Sequence, residues 1–201
     1  SPMDTISETQ MAIEMGILGG LAVVHRYNTV ERQCDMVMDI NTTSAAAFAA
    51  IGTSGDYLER ATALTNAGAR GLCVDVAHGH HILMKRALQS LRAVVGSDMH
   101  IMAGNVATLE GFNDLADWGA DSIRVGIGGG SICSTRIETG HGVPTFQSIL
   151  DCKNVSNRLG VSLIADGGIK NSGDAVKSFA AGADFVMMGS MLAGTNEAPG
   201  D

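Results

Sequence analysis

A chain of 201 residues, 45% hydrophobic and 17% charged, can bury one sizeable core and falls in the ordinary globular class. Its 13 basic and 21 acidic residues give a net charge of −8 with no basic cluster, which argues against a nucleic-acid groove or an anionic membrane surface as partner. A small anionic ligand is still compatible, because backbone N–H groups at helix N-termini hold phosphate without net positive charge on the protein.

In chain order, Ser1-Pro2-Met3-Asp4 opens with no strand before it. The longest apolar stretch, residues 11–24, is interrupted by Glu14, Gly16, Gly19 and Gly20, so it reads as helix, turn and buried strand rather than a membrane span. No basic n-region with an apolar h-region precedes it, and Cys34, Cys73, Cys133 and Cys152 form no C-x-x-C pair. Both features point to a reducing cytoplasm.

Short apolar runs then recur at 21–24, 47–51, 71–74, 100–103, 122–125, 162–164 and 185–188. Their starts lie about 22 to 29 residues apart, with one gap of about 40 before Ser162, which is the period of a strand plus crossover helix. Helical patterns occupy 56–67, 82–95, 109–118 and 173–181, and Gly68, Gly119 and Gly182 stand where helices end. Near-continuous apolar runs are expected of parallel strands buried on both faces. Seven βα units with 26 glycines, many just after strands, favour a TIM (β/α)8 barrel over a doubly wound sheet. The barrel's first strand would then be mostly missing, cut near its C-terminal end at Ser1, and its last helix would lie beyond Asp201. Residues 1–201 are expected to form a single, partial catalytic domain.

The segment richest in chemistry is Arg124-Val125-Gly126-Ile127-Gly128-Gly129-Gly130-Ser131-Ile132-Cys133-Ser134-Thr135-Arg136. A strand that ends in glycines lets backbone turn tightly and approach a ligand, and Ser131 adds a hydroxyl beside exposed N–H groups, which suits a phosphate. Cys133 lies at the loop's tip among backbone donors, near Arg124 and Arg136, either of which could favour a thiolate. Cys34, Cys73 and Cys152 fall in strand or helix patterns and read as inert core thiols. Cys133 therefore reads as a nucleophile. Two further glycine turns, Asp166-Gly167-Gly168 and Gly189-Ser190, follow the last two apolar runs, the usual place of a barrel phosphate site. Asp166, an acceptor-only carboxylate, suits a ribose diol.

At these residues the chain resembles the IMP dehydrogenase/GMP reductase family. Ser1-Pro2-Met3-Asp4-Thr5, Asp75-Val76-Ala77-His78-Gly79-His80, Gly104-Asn105-Val106, the cysteine loop, Ala165-Asp166-Gly167-Gly168-Ile169 and Met188-Gly189-Ser190-Met191-Leu192-Ala193-Gly194-Thr195 match family segments in order. The resemblance implies that Cys133 attacks C2 of a purine nucleotide, with Thr135 beside the reacting carbon. It implies that Ser131, Gly167, Gly168, Gly189 and Ser190 hold the 5′-phosphate side, that Asp166 binds the ribose, and that Ser1, Met3, Asn105 and Arg124 line the nucleotide pocket. Asp75, Gly126 and Gly128 would face the nicotinamide cofactor, and the carbonyls of Gly128, Gly130 and Cys133 would ligate potassium. A cytoplasmic homotetramer of purine (GMP) biosynthesis is implied as well.

Two activities stay open. In one, IMP is oxidised to XMP with NAD; in the other, GMP is reductively deaminated to IMP with NADPH. Val76-Ala77 is similar to the reductase branch, whereas the 165–169 and 194–200 segments are similar to dehydrogenases, toward which the balance leans. The flap with the dehydrogenase's catalytic arginine and the segment with the reductase's catalytic glutamate would lie beyond Asp201. Residues 39–44 run straight into the next strand, leaving no room for the regulatory insert (a pair of CBS modules) usual in dehydrogenases. Outside this family, a catalytically silent nucleotide-binding barrel is one alternative. A metal site built on Asp75, His78, His80 and His81 is another.

Overall fold

The computed structural model describes residues 1–200, and the side chains of all of these but 154–159. Seven strands, β1 (Val23–Val24), β2 (Phe48–Ile51), β3 (Gly71–Asp75), β4 (His100–Val106), β5 (Ser122–Val125), β6 (Ser162–Asp166) and β7 (Phe185–Met187), form one sheet in sequence order. Every neighbouring pair is parallel. Each apolar run expected as a strand is one, although Leu21, Ala22, Ala47 and Met188 fall outside and β3, β4 and β6 extend further toward their C-terminal ends.

Helices cover the outside: α1 (Thr9–Ile17), α2 (Val30–Asn41), α3 (Tyr57–Asn66), α4 (Ile82–Val95), α5 (Leu109–Asp117), α6 (Thr135–Thr139), α7 (Thr145–Leu159) and α8 (Ser172–Ala181). The long gap before β6 is filled by two of them, α6 and α7. Side chains of Thr29, Thr108 and Asn171 accept hydrogen bonds from the first-turn N–H groups of α2, α5 and α8, satisfying donors that the helix leaves open. Gly68, Gly119 and Gly182 take positive φ just past α3, α5 and α8, as the sequence suggests.

Because strand side chains alternate, each strand feeds two cores. Ala49, Ile51, Leu72, Val74, Ile101, Ala103, Ile123, Val125, Leu163 and Ala165 face the helices. Val23, Phe48, Ala50, Cys73, Met102, Ile164 and Met187 make a second, interior cluster on the concave side. Phe48 lies flat over Gly71, where a Cβ would come within 2.2 Å of its ring. This is the curled wall of a (β/α)8-type barrel. On the concave side lies an apolar space of about 210 Å3, lined by residues of β1, β2, β4, β5, β6 and β7 and by Met11 and Met15 of α1. Among the described residues no helix is long and apolar enough to cross a membrane.

Candidate active site

The C-terminal ends of β3, β4, β5 and β6, with the loops that follow, enclose a cleft of about 610 Å3. Asp75 and Asp166 are the last residues of β3 and β6, and Asn105 and Arg124 the penultimate residues of β4 and β5. Arg124 is on the concave side because its neighbours Ile123 and Val125 pack against helices. It is 7% exposed, donates from Nε and Nη2 to Asp166 Oδ2 at 3.1 and 2.8 Å, and donates from Nη1 to Asp75 Oδ1 at 2.5 Å. Asn105 Nδ2 donates to the same Asp166 oxygen and to the Gly126 carbonyl, both at 2.8 Å, while the buried Asn105 Oδ1 has no partner among the described residues.

Burial works to raise the Asp166 carboxyl, but the Arg124 charge and the Asn105 and Arg124 hydrogen bonds outweigh it, so the group is held below the usual carboxylate range. All three described bonds end on Oδ2. Oδ1 takes part in none of them, and Asp166 is among the residues that line the cleft.

Glycines set how closely the next loops approach. Gly126 has a φ of 146°, and a Cβ there would fall 1.9 Å from the Asp166 carbonyl oxygen, so only glycine lets the loop after β5 cross the end of β6. Beyond this crossing, a Cβ on Gly167 would lie 3.0 Å from Gly130 N, so the two turns lie against each other. Ser131 and Ser190 bring their hydroxyl oxygens to 3.1 Å across this junction, and Gly189 sits against Met3 Sδ and Ser1.

Cys133 stands where the same loop turns into α6. Its Sγ lies 3.3 Å from Thr135 Oγ1, and its N–H donates to the Gly130 carbonyl at 3.2 Å. The Thr135 hydroxyl and then the Thr135 backbone N–H favour the thiolate against burial, with smaller help from the Gly128 N–H and the Arg136 charge, so the thiol lies below its ordinary value. The structure therefore replaces Arg124 by Thr135 as the chief support of the thiolate: both ends of the Arg124 fork are spent on carboxylates. The other thiols shift the opposite way. Burial pushes Cys73 up to about 11 and Cys152 up to about 12, and it raises Cys34.

Ser1, Met3, Asp75, Asn105, Arg124, Gly126, Gly128, Gly130, Cys133, Thr135, Asp166 and Gly167 thus line one cleft, with Ser131, Ser190 and Gly189 meeting beside it and Gly168 against Gly129. The histidines do not join Asp75. His80 Nε2 pairs with Asp114 Oδ2 at 2.9 Å, His81 Nδ1 accepts from Leu83 N at the start of α4, and His78 is exposed. No three His, Cys, Asp or Glu side chains among the described residues come together as a metal group. Arg26 and Tyr27, absent from the sequence-based set, also line the cleft, with Arg26 Nη2 3.5 Å from the Asp75 carbonyl and its buried Nε without a partner among the described residues. Their one signal in the sequence is position, directly after β1, where barrel loops carry function.

Fold and cleft together define a parallel β/α barrel with a cysteine on a glycine-rich loop at its C-terminal face. A family model described as the IMP dehydrogenase / GMP reductase domain matches residues 1–201, and the chain belongs to that family. It is 49% identical over 154 residues to an inosine-5′-monophosphate dehydrogenase of Nitrosopumilus maritimus, covering 76% of this chain and 32% of that protein. It is 52% identical over 153 residues to a GMP reductase of Leishmania major, covering 76% of this chain and 31% of that one. The structure matches the crystal structure of an inosine 5′ monophosphate dehydrogenase from Legionella pneumophila with a TM-score of 0.92 and 48% identity, over 100% of this chain and 60% of that chain. The matched region spans about a third of the length of these two curated relatives.

Proposed function

We propose that the protein oxidises IMP to XMP with NAD through a covalent bond from Cys133 Sγ to C2 of the purine. The observation that carries this reading is the Cys133 thiol, whose thiolate is favoured by Thr135, in a cleft that Asp166 also lines, with Asp166 bonded to Arg124 and Asn105 through Oδ2 alone. Attack by Sγ forms the S–C2 bond and makes C2 tetrahedral, the displaced electron pair being protonated on the ring nitrogen. Loss of hydride from C2 and of that proton leaves a thioimidate. Water adds at C2, a proton goes to solvent, and the Cys133 thiolate departs from the new carbonyl.

In this scheme Asp166 Oδ1 accepts from the ribose hydroxyls, and Asn105 offers its unpartnered Oδ1 toward the purine, with Ser1 and Met3. The 5′-phosphate is received by the Ser131 and Ser190 hydroxyls and the Gly167, Gly168 and Gly189 backbone. Asp75, Gly126 and Gly128 form the wall assigned to the nicotinamide cofactor, which, when bound, accepts the hydride. The carbonyls of Gly128, Gly130 and Cys133 are assigned to a potassium ion. An all-oxygen set on one tight loop suits a hard cation, and the Gly130 carbonyl spends one lone pair on Cys133 N and keeps the other. A cytoplasmic homotetramer belongs to the same proposal.

One observation favours the other chemistry, reductive deamination of GMP to IMP with NADPH: Val76 and Ala77 line the Asp75 end of the cleft without a hydroxyl. Absorbance of the reduced nicotinamide with the full-length protein decides the direction. A rise with IMP and NAD is expected, and a fall with GMP and NADPH without that rise would assign the reductase reaction instead.

A further inference from the structure

We infer that Arg124 is a positioning residue that couples the nucleotide and cofactor halves of the cleft, one guanidinium holding Asp166 on one side and Asp75 on the other. The inference rests on the roles proposed above for these two carboxylates.

Arg124 has little capacity left to bind a ligand itself. Its Nε and Nη2 edge is on Asp166 Oδ2 and its Nη1 reaches Asp75 Oδ1 and, at 3.5 Å, Cys73 Sγ. With Asp166 15% and Asp75 16% exposed, the three charges form a partly desolvated row in which one cation serves two anions. Cys73 beneath them is kept a neutral thiol by burial and adds no competing charge. The strands fix the geometry from below. Gly104 of β4 stands beside Arg124 in register, and a Cβ on it would lie 2.6 Å from Arg124 Cβ, so bare backbone on β4 admits the stem at this height.

A guanidinium is a rigid planar fork, so a shift toward one carboxylate is a shift away from the other. Neutralising Asp75 leaves the whole Arg124 charge to Asp166, which draws the carboxylate and its negative charge toward the Oδ2 side and makes Oδ1 a poorer acceptor for the ribose. A lysine has no fork and cannot hold both carboxylates in one fixed geometry. The coupling therefore requires arginine, not merely a positive charge.

The experiment measures binding of IMP and of GMP to the full-length protein without cofactor, by calorimetric titration. Asp75→Asn, although Asp75 is assigned to the cofactor side of the cleft and not to a nucleotide contact, is expected to weaken nucleotide binding about threefold or more, as for residues of one hydrogen-bonded network. In an Arg124→Lys background the same substitution is expected to have no further effect, while the Cys133 alkylation rate without ligand stays at its wild-type value throughout. Unchanged nucleotide affinity in Asp75→Asn overturns the inference, as does an undiminished Asp75→Asn effect in the Arg124→Lys protein. Should Arg124→Lys fail to fold, the effect of Asp75→Asn alone decides. Wild-type protein that binds neither nucleotide would remove the functional reading, and the inference with it, whereas binding without the cross-effect would remove the inference alone.

Discussion

Cys133 differs from Cys34, Cys73 and Cys152 in its surroundings: two donors from Thr135 and one from Gly128 favour its thiolate, whereas loss of solvent is the largest influence on the other three. An alkylating reagent at neutral pH is expected to modify Cys133 well before the rest, with IMP or GMP protecting it, as peptide mapping over time would show. Uniform labelling of all four in folded protein would remove Cys133 from its role. Since the thiolate is the reactive form and its pKa is lowered, the alkylation rate should reach half-maximum below the ordinary thiol pH, and Thr135→Val should move that midpoint upward. Asp166 invites a parallel test. Asp166→Ala should weaken nucleotide binding by roughly 1.5–3 kcal/mol through lost charge-assisted hydrogen bonds, and a 2′-deoxynucleotide should already bind the wild type less well. Equal affinity for ribo- and 2′-deoxy-forms would place the ribose elsewhere.

At the scale of elements, the loop joining β5 to α6 depends on Gly126 being bare where it crosses the end of β6. Gly126→Ala puts a Cβ into the Asp166 carbonyl at a φ that L-residues avoid, and overpacking of this kind costs roughly 1–3 kcal/mol. The expected result is a lowered melting temperature together with loss of nucleotide protection of Cys133; wild-type values for both would mean that the crossing adjusts freely. This loop was legible from residue order because its glycines and cysteine are chemistry written locally. The wall was legible too, since parallel strands buried on both faces must be apolar throughout. Three helices were not: α2, the short α6 and α7. In α2 the core-facing positions are Gln33, Met36, Val37 and Ile40, and the buried Gln33 breaks the apolar period. It is there to donate to the Val24 and Ala50 carbonyls and accept from Arg60, a tertiary purpose that no local pattern records. In α7 the buried Ser148 beside Ile149 and Cys152 blurs the period in the same way. Arg26 escaped notice because its meaning lies in proximity to Asp75, 49 residues away in sequence.

For the molecule as a whole, the Arg124, Asp75 and Asp166 cluster joins β3, β5 and β6 at the mouth of the barrel, so the site's electrostatics are also the fold's. The unfolded chain returns Asp166 to about pKa 4, above its folded value, which means that the folded state gains from the ionised carboxylate. This contribution is fully present above the unfolded pKa and is lost as pH falls through the lower folded one. Asp166→Asn removes it while keeping the shape of the side chain. Wild-type and Asp166→Asn proteins should therefore differ in melting temperature near neutral pH, the wild type being higher, and the difference should shrink as pH drops from about 5 toward 3. Thermal unfolding followed by circular dichroism at a series of pH values reads this directly. Curves that run parallel down to the acid limit would show that the Arg124 and Asp166 pair orders the site without stabilising the barrel.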